Sequence, residues 1–171
     1  MVRRVRYLVD ASVLMQAHRR YYRFGVCPGF WDCLARHHKQ GRVSSIDRVR
    51  KEVEQGGKDE LRQWTKTACP ATFFEATTGR NIGDGYGRVI SWAGSQGRYR
   101  QEALAEFATV ADGWLVAYAK EHGLTVVTQE VSAPESKKEV KIPDVCNAFK
   151  VPCIDTFEML ESLGVQFTWK P

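Results

Sequence analysis

Tyr7-Leu8-Val9-Asp10-Ala11-Ser12 is an apolar run that stops on an acid followed by two small residues. Val2 and Val5 alternate with arginines ahead of it, so the run reads as a buried strand. Val13, Leu14 and Ala17 then share one helical face, so the chain passes through a loop at Asp10 into a helix. Leu124-Thr125-Val126-Val127-Thr128 is a second, β-branched strand, and residues 151–154 are a third. Between them, helices are expected at 30–40, closed by Gly41, and from Ser45 as cap through Ile46, Val49 and Val53. Further helices are expected around Leu61 and Trp64, at 86–93 beyond a glycine-rich stretch, at 103–107, and at 111–122 before Gly123. Val43-Ser44 reads as a very short strand, Met159, Leu160 and Leu163 as a short helix, and 165–169 as a final strand.

Strands alternating with helices imply an α/β fold with parallel pairing and helices on both faces. In such sheets ligands bind beyond the carboxyl ends of the strands, which makes Asp10 and Glu130 immediate candidates. A length of 171 residues predicts one domain with a core that needs no staples. Residues 114–119, the longest apolar stretch near a helix, fall far short of the ~18 that span a bilayer, so no membrane association is expected. The basic start shows no apolar region of signal-peptide length, and five cysteines cannot all pair within one chain. A reducing cytoplasmic location with free thiols is the expectation. No Cys-x-x-Cys pair is present, and His37-His38 point about 100° apart on a helix, so zinc is not expected.

Charge is unevenly spread. Residues 1–51 hold twelve Lys/Arg against three Asp/Glu, while the remainder is acidic on balance. That asymmetry suits a protein that grips a polyanion and processes it with carboxylates, although a solvated basic face explains it equally well. Asp10, Glu52, Asp112 and Glu130 stand at or near element ends. Converging carboxylates repel one another, and Mg²⁺ or Mn²⁺ would remove that conflict while activating water against a phosphodiester. Plainer roles exist for each. Asp112 could cap the helix it precedes, and Asp144 after Pro143 looks like a helix-start residue. Glu52 and Glu54 flank the Val49/Val53 stripe symmetrically, so periodicity cannot choose between them.

Tyr7-Leu8-Val9-Asp10-Ala11-Ser12, the Asp-led helix Ala111-Asp112-Gly113-Trp114-Leu115-Val116-Ala117-Tyr118-Ala119 and Val126-Val127-Thr128-Gln129-Glu130 together resemble the ordered motifs of PIN domains. With Arg50-Lys51-Glu52-Val53, Leu61-x-x-Trp64 and Lys141-Ile142-Pro143-Asp144-Val145-Cys146, the chain from about residue 5 to 160 resembles the bacterial PIN-like family DUF4411. The resemblance implies a three-layer α/β/α fold with a mostly parallel central sheet. It also implies a Mg²⁺- or Mn²⁺-dependent endoribonuclease whose metal-binding acids are Asp10, Glu52 and Asp112, with Glu52 chosen over Glu54. The fourth acid of the family pattern is usually Asp. Here it is Glu130, one methylene longer, and Asp144 could replace or join it. Ser12 would bind a carboxylate or a water at the metal. Many compact PIN proteins are toxins of type II toxin–antitoxin pairs that dimerise and are silenced by an antitoxin protein, so RNA, an antitoxin and a homodimer are the implied partners.

Arg19-Arg20-Tyr21-Tyr22-Arg23 follows the first helix, where arginines could hold RNA phosphates and tyrosines could stack on bases. The alternative packs both tyrosines under the next helix and leaves the arginines in water. A rival reading of the whole chain is a non-catalytic PIN-like module that binds RNA or protein, kept open by Glu130. A phosphate-signalling receiver is disfavoured because Asp10-Ala11 is not an acidic pair, and an Asp-x-Asp phosphatase because Ser12 stands in the second place.

Overall fold

The computed structural model describes residues 5–56 and 59–170. Its strands are β1 (Tyr7–Val9), β2 (Val43–Ile46), β3 (Phe74–Glu75), β4 (Thr125–Val127) and β5 (Cys153–Ile154). Among the described residues they form one sheet in the order β3-β2-β1-β4-β5, every neighbouring pair parallel. Tyr7, Leu8 and Val9 face Thr125, Val126 and Val127 in register, and Val126 and Val127 face Cys153 and Ile154. Strands covered on both faces read as unbroken apolar runs, which is why Tyr7-Leu8-Val9 carries no polar alternation.

Helices α1 (Ala11–Gln16), α2 (Pro28–Lys39), α3 (Asp47–Gln55) and α4 (Glu60–Thr67) connect β1, β2 and β3. Helices α5 (Arg80–Ser95), α6 (Gln101–Thr109), α7 (Asp112–His122) and α8 (Ile142–Phe149) precede β4 or β5, and α9 (Thr156–Ser162) follows β5. The chain steps from β1 towards β3 in one direction and from β4 to β5 in the other, so right-handed crossovers put the two helix groups on opposite faces. The result is the expected three-layer α/β/α sandwich. Its apolar residues join one core in which Leu8, Val9, Leu14, Leu34, Leu115 and Val126 are inaccessible to solvent.

α7 is the central helix of its layer. Residues 115–119 are buried, as expected of a helix enclosed by α5, α8 and β4. Gly113 admits the Tyr86 ring, since a Cβ there would stand 3.1 Å from Tyr86 Cε2. Tyr86 stacks on Trp114 with centroids 4.0 Å apart, and the Arg48 guanidinium covers Trp114 at 3.6 Å. Gly85 lies against Ala117 of α7, where a Cβ would stand 3.3 Å from the alanine Cβ, so this glycine serves the close packing of α5 on α7; α5 starts six residues earlier than the sequence expectation of 86–93.

Three local expectations change. Ser45 does not cap a helix: it is buried in β2 and its hydroxyl donates to the Val9 carbonyl at 2.7 Å, while α3 starts at Asp47. Pairing with β1 and β3 outweighs the capping preference of an isolated serine. Residues 165–169 join no strand among the described residues, because Phe167 packs on Tyr22, 5.6 Å between centroids, and against Gly29 of α2. Arg19, Arg20 and Tyr21, expected to follow the first helix, instead lie in a π-helical turn that continues it, Ala17–Tyr21, closed by Tyr22 N–H to Ala17 O at 2.8 Å.

Candidate functional site

The strand order turns back at β1 and β4, and the crevice beyond their carboxyl ends is where this kind of sheet receives ligands. Asp10 leaves β1 there, its N–H donating to Val127 O of β4 at 2.9 Å. Its extended backbone and short side chain make it the N-cap of α1: Oδ1 accepts from Ala11 N at 2.6 Å, and Oδ2 from Ser12 N at 3.3 Å. Oδ2 also accepts from the Ser12 hydroxyl at 2.6 Å and the Thr128 hydroxyl at 3.0 Å. These hydroxyls in turn accept Gln129 N–H at 3.0 Å and Glu130 N–H at 3.1 Å, so the exit of β4 is tied to the exit of β1. Burial raises the Asp10 pKa, and the hydrogen bonds from Ser12, Thr128 and Ala11 pull against it.

Glu52 projects from α3, and its Oε1 accepts the Ala111 N–H at 2.6 Å, immediately before α7. Its pKa is raised by burial and further by the Asp10 charge. Glu54 is turned elsewhere, held by Arg50 Nε at 2.9 Å and by Thr65 at 3.2 Å. Asp112 is the first residue of α7 and caps nothing; no hydrogen bond to its carboxylate forms among the described residues. Burial, then the charges of Asp10, Glu130 and Glu52, push its pKa up to about 9, with Lys141 opposing. Glu130 accepts Ile142 N–H at 2.8 Å on Oε2 and has Lys141 Nζ 3.8 Å from Oε1. Burial and the Asp10 charge raise its pKa.

The four carboxylates Asp10, Glu52, Asp112 and Glu130 thus share one electrostatic environment at the carboxyl edge of the sheet. Asp144 is engaged by the loop after β4. It is buried in α8 and accepts from the Ser132 hydroxyl on Oδ1 and from Ala133 N–H at 3.0 Å on Oδ2. Arg19, Arg20 and Arg23 are exposed on and just after the π-helical turn.

Three charged residues at the site escaped the sequence reading. Glu106, Glu139 and Lys141 line a cavity of about 220 Å³ together with Phe107, Asp112 and Glu130. Lys141 also pairs with Glu139 at 2.8 Å. Lys141 had a signal of a kind, its place just before the Ile142-Pro143 helix start, but no periodicity points Glu106 or Glu139 inward.

Among the described residues no three His, Cys, Asp or Glu side chains form a ready-made metal cage. One oxygen each of Glu52 and Glu130 and both of Asp10 are occupied by protein donors, whereas the Asp112 carboxylate is without one. Such a donor set fits a hydrated cation held by one or two carboxylates and water, the usual manner of Mg²⁺, better than a dehydrated one.

No helix among the described residues is long and apolar enough to cross a membrane. No curated protein matches the chain. A family known only as a domain of unknown function, DUF4411, matches it over residues 7–167, and with the match covering nearly its whole length the chain belongs to that family.

Proposed function

We propose that this protein is a Mg²⁺- or Mn²⁺-dependent endoribonuclease of the PIN-domain kind. The observation that carries the reading is the gathering of Asp10, Glu52, Asp112 and Glu130 at the sheet's switch point, where burial and then mutual repulsion push the Asp112 pKa up to about 9. One ammonium, Lys141, offsets that repulsion only in part. A divalent cation would complete the compensation and polarise a scissile phosphate. Asp10 and Asp112 would hold the cation, with Glu52 and Glu130 orienting water around it. Ser12 and Thr128 keep Asp10 fixed, and Lys141, which lines the same cavity, would meet a substrate phosphate. Membership of a type II toxin–antitoxin pair, with an antitoxin protein closing the pocket, rests on the resemblance of the strand-end motifs to PIN domains alone.

The test is cleavage of labelled single-stranded RNA. Activity is expected with Mg²⁺ or Mn²⁺ and none in EDTA, and Asp10→Asn should lose at least a hundredfold while keeping the parent's circular dichroism. An Asp10→Asn variant as fast as the parent overturns the reading. A second reading, a non-catalytic module that binds RNA or protein, is favoured by one observation: Glu130 is already engaged by Ile142 and Lys141. Calorimetry that detects no Mn²⁺ binding would support it.

A further inference from the structure

We infer that Tyr21 and Phe157 form a stacking platform for the unpaired bases of a single-stranded RNA lying across the carboxyl edge of the sheet; this rests on the ribonuclease reading above. Of the two adjacent tyrosines, Tyr22 is committed to the fold. Its ring stacks on Phe30 with centroids 4.5 Å apart and planes 9° from parallel, and its carbonyl accepts the Trp31 indole N–H at 2.8 Å. The Tyr21 ring lies 6.5 Å from that of Tyr22, centroid to centroid, and is 47% exposed against Phe157, 45% exposed. The two rings meet edge to face with centroids 5.5 Å apart. Two half-exposed rings in mutual contact make a contiguous apolar patch, and an edge-to-face pair exposes a ring face to which a base can stack.

The position of the pair is set by the site itself. Gln129 donates its backbone N–H to Ser12 and its side-chain amide to Thr156 Oγ1 at 2.8 Å, so the residue before Phe157 is joined to the network that holds Asp10. β5, which leads into Phe157, lies two strand spacings from β1, roughly 10 Å. The π-helical turn ends at Tyr21, and such turns widen a helix and re-aim its side chains.

Charge selects the occupant. Arg19, Arg20 and Arg23 are exposed around Tyr21, and none forms an ion pair with a described residue. The neighbouring acids Asp155 and Glu158 are engaged in the capping box of α9. Arginines flanking exposed rings match a strand that offers phosphates and unstacked bases alternately, which a duplex does not.

The experiment measures anisotropy of three fluorescein-labelled probes in EDTA, where cleavage is absent: a 12-nucleotide single strand, its abasic counterpart and a duplex. Parent, Tyr21→Ser/Phe157→Ser and Arg19→Gln/Arg20→Gln/Arg23→Gln proteins are compared, with Tyr21→Leu/Phe157→Leu as a second variant that keeps apolar volume. Both ring variants should bind the base-bearing strand about tenfold more weakly and the abasic strand and duplex as the parent does. The arginine variant should weaken all three and flatten the salt dependence. Metal-dependent hydrolysis of bis(p-nitrophenyl) phosphate, too small to reach the rings, should be unchanged in the ring variants. Equal strand affinity in parent and ring variants overturns the platform, as does a parent that binds no single strand. Ring variants that bind RNA normally but change sedimentation from dimer to monomer overturn it in favour of a protein contact. Loss of the small-substrate hydrolysis in the parent itself would sink the ribonuclease reading separately.

Discussion

Glu52 of α3 accepts a hydrogen bond from the backbone N–H of Ala111 at 2.6 Å, so one acid of the site holds the helix start that presents another, Asp112. No side chain of α7 itself caps that end. Two roles can therefore be separated in one residue. Glu52→Gln keeps an acceptor for Ala111 and should cost less than about 1 kcal/mol of stability, while Glu52→Ala orphans a buried N–H and should cost about 1–3 kcal/mol. Both should lose metal-dependent cleavage. Urea unfolding of the two variants checks this, and equal stabilities would mean the Ala111 contact contributes nothing.

Ser12 and Thr128 give their hydroxyl protons to the same Asp10 oxygen and accept the N–H groups of Gln129 and Glu130. Partners that orient a ligand typically change metal affinity 10–100-fold when removed. Ser12→Ala and Thr128→Val should each weaken Mn²⁺ binding by about tenfold or more, read by calorimetry. Because both act on one oxygen, the double variant should lose less than the product of the two single effects. Strict additivity would show that they act independently.

The raised pKa of Asp112 has a consequence for stability in the absence of metal. Folded protein keeps a proton on this acid up to about 9, whereas the unfolded chain releases it near 3.8. Its contribution is therefore complete below pH ~4 and declines as pH rises towards ~9. In EDTA the Tm of the parent should fall between pH 6 and 9. Asp112→Asn should remove that slope and melt several degrees higher than the parent at pH 8. Excess Mg²⁺ should raise the parent's Tm more at pH 8 than at pH 6. A parent whose Tm rises over this range while Asp112→Asn matches it would contradict the assignment.

Gly113 stands one residue beyond Asp112, with Tyr86 against its Cα. Gly113→Ala adds a methyl 3.1 Å from Tyr86 Cε2 and 3.4 Å from Phe107 Cζ. Helix propensity alone favours Ala by about 1 kcal/mol, but overpacking typically costs 1–3 kcal/mol. The second effect should win, lowering Tm and displacing the first turn of α7, with cleavage falling more than stability. A higher Tm with full activity would show that Tyr86 yields without cost.

Local pattern was enough to expect β1, β4 and β5, the helices α2 and α7, and the placing of Asp10 and Glu130 just beyond strand ends. Each of these follows from short-range rules: apolar runs in covered parallel strands, a glycine at the left-handed end of a helix, an acid where a strand stops. Ser45 shows where such rules end. A serine before an amphipathic stretch looks like a cap, yet pairing on both sides draws it into β2.

What the sequence determined by itself was the kind and order of most elements, because periodicity and capping act within a few residues along the chain. The two-residue β3 was too short to carry such a signal, and the strand expected at 165–169 does not form among the described residues. The tertiary structure decided the rest. Glu52 and Glu54 are equivalent on their helix, and only the meeting of the Glu52 side chain with the start of α7 gives it Ala111 as partner and leaves Glu54 with Arg50. Asp144 and Glu130 looked interchangeable, and only the folded chain gives them different partners, the loop after β4 for Asp144 and Ile142 with Lys141 for Glu130. Lys141, Glu106 and Glu139 became part of the site, and Tyr21 met Phe157, only when distant segments were folded together. Which side chains share a charge environment depends on contacts between elements far apart in the chain, and no local period encodes those.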